Sequence, residues 1–136
     1  MLITREMDYA LRILRTLSNG ESAEAEKICE REMIPALLGE SVLKRLEKGG
    51  LIQISRGTSE HCRLNVDLKT VTLYDLMTAV GAETQINACM KPGHLCEWRI
   101  THRTECAVHN RLVHIQKALD DELRAHTLYQ MLLGDN

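Results

Sequence analysis

Apolar residues recur at helical spacing from the start of the chain. Tyr9, Ala10, Ile13, Leu14 and Leu17 share one face of a segment that Thr4 can cap and Asn19-Gly20 can stop, which predicts a helix over 4–18. Ser22 is placed to cap a second, short helix reaching about residue 31. Met33-Ile34-Pro35 then turns the chain, Pro35 suits the first position of a third helix, and Gly49-Gly50 ends it. Leu38, Val42, Leu43 and Leu46 form the buried stripe of that helix and leave Glu40, Ser41, Lys44, Arg45 and Lys48 outside it. Alternation replaces helical spacing at LIQIS, which predicts a strand over 51–55; RGTSEH is turn-like, and CRLN begins a returning strand. Thr72-x-x-Asp75 has the spacing of a capping box before another helix. A long helix is predicted over 105–126, with Val108, Leu112, Ile115, Leu119 and Leu123 in one stripe, and Thr127-x-x-Gln130 caps a last short helix.

Three helices followed by a two-stranded hairpin predict a mainly α fold with a small β-hairpin: a winged helix-turn-helix plus a long C-terminal dimerisation helix. The expected division is a DNA-binding region over 1–80, a cysteine-containing loop over 81–106, and the dimerisation helix with the C-terminal helix over 107–136. The long stripe lies on the last long helix of a small domain whose other helices already have partners. A homodimer would bury it, and a dimer is also what a palindromic operator requires.

Composition narrows the reading. The chain has 136 residues, enough for one core, and its 44% apolar content favours folding over disorder. It contains no Phe, so Leu, Ile, Val and Met must build that core. No apolar run approaches a membrane span, and the N-terminus MLITREMDYAL is charged too early for a signal peptide, so the expected compartment is a reducing cytoplasm with no membrane partner. There, five cysteines suit metal ligation or sensing better than permanent disulfides. Net charge is −2, yet between Ser41 and Leu64 five bases (Lys44, Arg45, Lys48, Arg56, Arg63) face two acids (Glu47, Glu60). That local excess on a helix wide enough for the major groove, beside a wing that can reach a phosphate, is the physical case for double-stranded DNA. A solvated helix face next to an ordinary hairpin would give the same pattern. No nucleophile–base motif or phosphate loop points to an enzyme.

The stretch CMKPGHLCEWRITHRTECAVH concentrates the remaining chemistry, with Cys89, Cys96 and Cys106 within eighteen residues and His94, His102 and His109 beside them. A disulfide, a zinc knot, a redox thiol pair and an iron–sulfur cluster are all open. Zinc favours paired Cys-x2-Cys steps, which are absent here. Cys89 and Cys96 flank a Pro92-Gly93 turn and could pair in a thiol switch. Iron–sulfur sites tolerate irregular spacing and a fourth, non-cysteine ligand. Cys29 reads as a small buried residue, Cys62 as an oxidisable wing thiol without a partner, and His94 and His102 as solvated loop residues.

Taken in order, TREMDYALRIL, IPALLGESVLKRLEKGGLI, the RG and RL that flank the wing, VTLYDLMTAV and the cysteine segment resemble the Rrf-two family of bacterial winged-helix regulators over nearly the whole chain. That family includes cluster-assembly repressors, nitric-oxide sensors and cysteine-metabolism repressors. The resemblance implies a DNA-binding transcriptional regulator, expected to be a repressor. It also implies a two-iron or four-iron iron–sulfur cluster on Cys89, Cys96 and Cys106 that senses iron, redox or nitric oxide status. For the fourth ligand, His109 matches the histidine of the cluster-assembly branch. Asp8 matches an acid that reaches the cluster from the other subunit in the nitric-oxide-sensing branch, and it is the ligand expected here. The DNA contact is expected from Leu37, Glu40, Ser41 and Lys44 on the third helix and from Arg56, Thr58 and Ser59 in the wing. The wing departs from the family pattern: Thr58-Ser59-Glu60-His61 replaces a glycine-rich turn, and Cys62 stands in an aromatic place. The rival reading is a cluster-free thiol redox or metal-binding module without specific DNA binding.

Overall fold

A computed structural model describes residues 2–134. The outermost residues of the first and last expected segments, 1 and 135–136, lie outside the described residues. Thr4 Oγ1 accepts the Met7 N–H at 3.3 Å and starts helix α1 (Arg5–Thr16). The last turn tightens into a 3-10 turn at Leu17–Asn19, and Gly20, at φ 81°, reverses the chain; the α-helix therefore ends two residues before the expected 18. Met7, Ala10, Ile13 and Leu14 face inward.

Ser22 does not cap the second helix. Ala23–Glu24 instead forms a short strand, β1, and helix α2 (Ala25–Glu32) follows from Glu24. β1 pairs antiparallel with the second strand of the wing, Ala23 opposite Cys62 and Glu24 opposite His61. Backbone pairing to an open sheet edge satisfies more polar groups than one side-chain cap would. The expected two-stranded hairpin is therefore a three-stranded sheet of order β1-β3-β2, with β2 at Ile52–Arg56 and β3 at Glu60–Leu64. Both wing strands are displaced from the expected limits, because the turn occupies only 57–59. None of those three residues adopts a left-handed backbone, which explains how the turn keeps Gly57 alone and carries Thr58 and Ser59 in place of further glycines.

Helix α3 spans Ala36–Lys48, with Pro35 at its cap rather than inside its first turn. Val42, Leu43 and Leu46 are buried as expected, while Leu38 is only half-buried because Gly39 takes the closest approach to α2. A Cβ at Gly39 would clash with Cys29 Sγ and press on Ile34 at 3.3 Å. Helix α4 (Leu73–Ala79) opens with the predicted capping box: Thr72 Oγ1 accepts the Asp75 N–H at 3.1 Å and Asp75 Oδ2 accepts the Thr72 N–H at 2.9 Å. The cysteine segment, expected as loop, holds a 3-10 turn at Ala88–Met90 and a short helix, α5 (Glu97–His102). Helix α6 (Ala107–Ala125) starts two residues later than expected, and α7 (Leu128–Leu133) is capped by Thr127 and Gln130 as predicted.

Backbone bonds from Leu73 N–H to the His126 carbonyl (2.9 Å) and from Leu128 N–H to the Val71 carbonyl (2.8 Å) fold α7 back beside α4. Leu128 and Leu123 enter the core with the inner faces of α1 to α4. Toward its start α6 is not covered: Val108 and Ile115 are 66% and 50% exposed.

The α2–α3 contact makes a specific expectation. Gly39→Ala should destabilise the fold by about 1–3 kcal/mol through overpacking, measured by urea unfolding. Adding Cys29→Ala, which removes the opposing sulfur, should restore part of that loss.

Candidate functional site: a thiol recess and a helix–wing face

Three separate backbone turns bring the clustered cysteines together. Cys89 lies in the 3-10 turn, Cys96 caps α5 and Cys106 caps α6. All three line one recess of about 250 Å³, with Asn87, His94, Arg99 and His109. Cys89 Sγ accepts from Asn87 Nδ2 at 3.3 Å, and Cys106 Sγ accepts the His109 N–H at 3.4 Å. His109, half-buried on the first turn of α6, turns into the same recess, and its Nδ1 is fully buried with no hydrogen-bond partner among the described residues. A buried imidazole nitrogen left unpaired costs about 1–3 kcal/mol unless something occupies it.

Among the described residues, no three His, Cys, Asp or Glu side chains converge on a point that would hold a single metal ion. A closed tetrahedral zinc site is therefore not preformed. A multi-iron group needs a different arrangement, with donors spread around a shared recess, and the residues present fit that need.

Asp8 does not line this recess. Its carboxylate pairs with Arg12 at 2.8 Å on α1, and Arg12 also donates to the Glu32 carbonyl at 3.2 Å. Any reach from Asp8 to the thiols would have to come from a second subunit. His94 is exposed, as expected, but belongs to the recess wall. His102 is helical rather than looped: it ends α5 and stacks on Trp98 with ring centroids 4.5 Å apart.

The wing thiol is a correction. Cys62 is 0% exposed, because it stands on the inward face of β3 and packs in the hydrophobic core, so it is a core residue rather than an oxidisable surface group. Burial pushes its pKa up to about 11, and Cys29, buried as expected, is also raised by burial.

The second feature is the outer face of α3 with the wing. Leu37, Glu40, Ser41, Lys44, Arg45 and Lys48 are exposed. Lys44 pairs with Glu40 one turn back at 3.2 Å, a solvated contact that is readily surrendered. Arg56, expected at the DNA contact, is engaged within the protein. Its guanidinium holds Glu47 of α3 through two bonds of 3.0 and 2.8 Å, with Glu60 at 3.9 Å. The pair lowers the Glu47 carboxyl and raises Arg56, chiefly through that side-chain hydrogen bond. Thr58 is exposed at the wing tip and Ser59 half-buried. Sequence patterning missed Glu47 as the wing's anchor, and also Glu32. Glu32 is buried between α1 and α2, accepting from Arg15 at 2.6 Å and Thr16 Oγ1 at 3.2 Å.

The family model described as "Rrf2: Iron-dependent Transcriptional regulator" matches residues 3–133. The chain belongs to the Rrf2 family. Rrf2 proteins are transcriptional regulators rather than enzymes, and the three-stranded sheet on a helical body is their winged-helix fold. Solved structures agree on that fold. The global cysteine regulator CymR (YrzC) of B. subtilis matches with a TM-score of 0.73 at 18% identity, over 100% of this chain and 99% of its own. The oxidized form of Staphylococcus aureus CymR gives 0.68 at 21%, over 100% and 98%. T. potens IscR gives 0.66 at 16%, over 98% and 87%. No curated protein sequence matches the chain. No helix among the described residues is long and apolar enough to cross a membrane.

The buried Rrf2 thiols yield a pH expectation. The folded Cys62 keeps its proton up to about 11, against 9.0 for an unhindered thiol, so between those values the folded form binds more protons. Its contribution to stability is complete below pH 9.0 and is lost as pH rises toward about 11. In metal-free protein at neutral pH, iodoacetamide should modify Cys89, Cys96 and Cys106 and leave Cys29 and Cys62 unmodified, as read by peptide mass spectrometry.

Proposed function

We propose that this Rrf2 regulator is a DNA-binding dimer that holds an iron–sulfur cluster on Cys89, Cys96, Cys106 and His109. The observation that carries the reading is the shared recess: three thiols line it together with His109, whose Nδ1 is buried and unpartnered. The sequence favoured Asp8 as fourth ligand. The ion pair that engages Asp8 with Arg12, and the buried, unpartnered Nδ1 of His109 beside the thiols, favour His109 instead. When bound, a two-iron or four-iron cluster supplies a redox-active group whose loss can report iron, oxidant or nitric oxide status.

The chain's own part is positional. Cys96 and Cys106 stand at the starts of α5 and α6, so holding both thiols to one group fixes where those helices begin. The stripe exposed along α6, Val108 and Ile115 included, is the surface that a second subunit would cover. Regulation then requires that the loaded and empty forms differ in affinity for the operator. On this reading the segments before residue 81, over 81–106 and from 107 onward divide into DNA contact, cluster and dimer. The DNA contact itself is assigned to Leu37, Glu40, Ser41 and Lys44 of α3 and to Arg56, Thr58 and Ser59 of the wing.

Anaerobic purification followed by visible absorption tests the cluster. Each of Cys89→Ala, Cys96→Ala and Cys106→Ala should bleach the protein. His109→Ala should leave an altered spectrum and a shorter cluster lifetime, and Asp8→Ala should leave both unchanged. A silent His109→Ala with a disturbed Asp8→Ala would move the fourth ligand to the partner subunit. An unchanged spectrum in Cys96→Ala would remove the three-thiolate site and leave a cluster-free thiol module.

The helix–wing pair gives a separate expectation. Glu47→Gln removes a negative charge from α3 and releases Arg56, so it should tighten DNA binding and steepen the salt dependence by about one unit of slope. Lys44→Ala should weaken binding and flatten the slope by about one unit. Fluorescence anisotropy with a DNA duplex over a salt series reads both.

A further inference from the structure

The two most exposed large apolar side chains among the described residues are Met33 and Leu37, at 83% and 80%. Between residues 4 and 85 no other large apolar side chain is so exposed; the rest are Ile3 and residues of the cysteine segment, α6 and α7. Single exposed apolar residues on a surface need no explanation. These two flank the same turn, at the entry to α3, and Met33 adopts a left-handed backbone (φ 57°, ψ 45°) where helix ends favour Gly or Asn. Leu37 stands in the first turn of α3. Helical spacing places Ser41, Lys44 and Lys48 on the same face, and all three are exposed. The face therefore reads apolar, then hydroxyl, then two cations, from the helix start onward.

We infer that Leu37, flanked by Met33, is a base-reading residue that contacts the C5-methyl group of a thymine in the operator. The inference rests on the reading of α3 as the helix that enters the major groove. The first turn of such a helix meets the base edges, while residues farther along meet the backbone. Leu37 carries no donor or acceptor, so it cannot read the hydrogen-bonding pattern of any base. The thymine methyl is the apolar feature that the major groove presents. Burying it against Leu37 excludes cytosine at that position by loss of apolar contact. Lys44 and Lys48, two and three turns on, are placed to hold the phosphates that fix the register.

The test uses the full chain, anaerobically purified and metal-free in parallel, and a duplex recovered from random-sequence DNA by repeated capture on each form. Every thymine of the duplex is then replaced in turn by deoxyuridine, which lacks the methyl group and keeps every hydrogen-bonding atom. At one position per half-site, uracil should weaken binding by wild-type protein about fourfold, the worth of one buried methyl group. Leu37→Ala should bind thymine and uracil duplexes equally at that position, and Leu37→Met should retain the preference. Indifference of the wild type to uracil at every position would overturn the inference while leaving DNA binding intact. So would a Leu37→Ala protein that still binds and shows the same uracil cost. Failure of both forms to capture any duplex would remove the DNA-binding reading, and this inference with it.

Discussion

The inner face of α1 is the wedge on which the rest of the structure depends. Met7, Ala10, Ile13, Leu14 and Leu17 are all buried, and the helix packs against α2, α3 and α7 at once. With no Phe in the chain, that wedge is built from slim aliphatic side chains, which let three helices close around it. Its polar side is tied as well. Glu32, buried at the end of α2, takes Arg15 and Thr16 on its carboxylate and Arg12 on its carbonyl, and Arg12 in turn takes Asp8. A buried carboxylate is tolerable only when paired and hydrogen-bonded, and Glu32 is both. The helix-turn-helix is thus gripped from two faces of a single helix, and α7 brings the C-terminal part of the chain onto the same element.

That arrangement links the two chemical features physically. α6 runs from the thiol recess to α4, which also touches α3, and the chain after α6 returns through α7 to α1. A displacement of the start of α6 therefore has a continuous packed route to the helix that carries Leu37, Ser41 and Lys44. Coupling needs more than a route: it needs an element with two arrangements that both sites bias. The start of α6 is the physical candidate, since its exposed Val108 and its cap Cys106 have few packing partners to hold them in one place.

Much of the fold was legible where local chemistry decides it. Thr4, Thr72 and Thr127 cap helices as their spacing predicts, because a cap is settled within four residues. Ser22 failed because its competitor was the open edge of a strand forty residues away, which no local pattern displays. Cys62 was hidden because the face of β3 that packs on the helices is settled by the tertiary fold. The helix and turn inside the cysteine segment were illegible because six residues are too few to show a period. In the candidate site, the gathering of Cys89, Cys96 and Cys106 could be read from spacing alone. The fourth donor could not: Asp8 was the ligand expected, and what surrounds Asp8 and His109 is set by the tertiary fold. Likewise the engagement of Arg56 was hidden because its partner lies on another element, nine residues back at Glu47.

The Arg56–Glu47 pair changes how the basic patch should be understood. Counted along the sequence, 41–64 carries a surplus of three positive charges. Counted in space, Arg56 is already neutralised by two charge-assisted hydrogen bonds, and Lys44 shares its charge with Glu40. The surplus that remains uncommitted rests on Arg45, Lys48 and Arg63, which no ion pair among the described residues engages. Exposed single pairs such as Lys44–Glu40 are worth only a few tenths of a kcal/mol, so a phosphate displaces the carboxylate at little cost. The bidentate Arg56–Glu47 pair is stronger and also fixes the wing against α3. Its first consequence is geometric: it ties the wing to the outer side of α3. A wing braced by its own arginine is held by charge where a glycine-rich turn is held by backbone, and a phosphate would have to displace Glu47 before Arg56 could meet it.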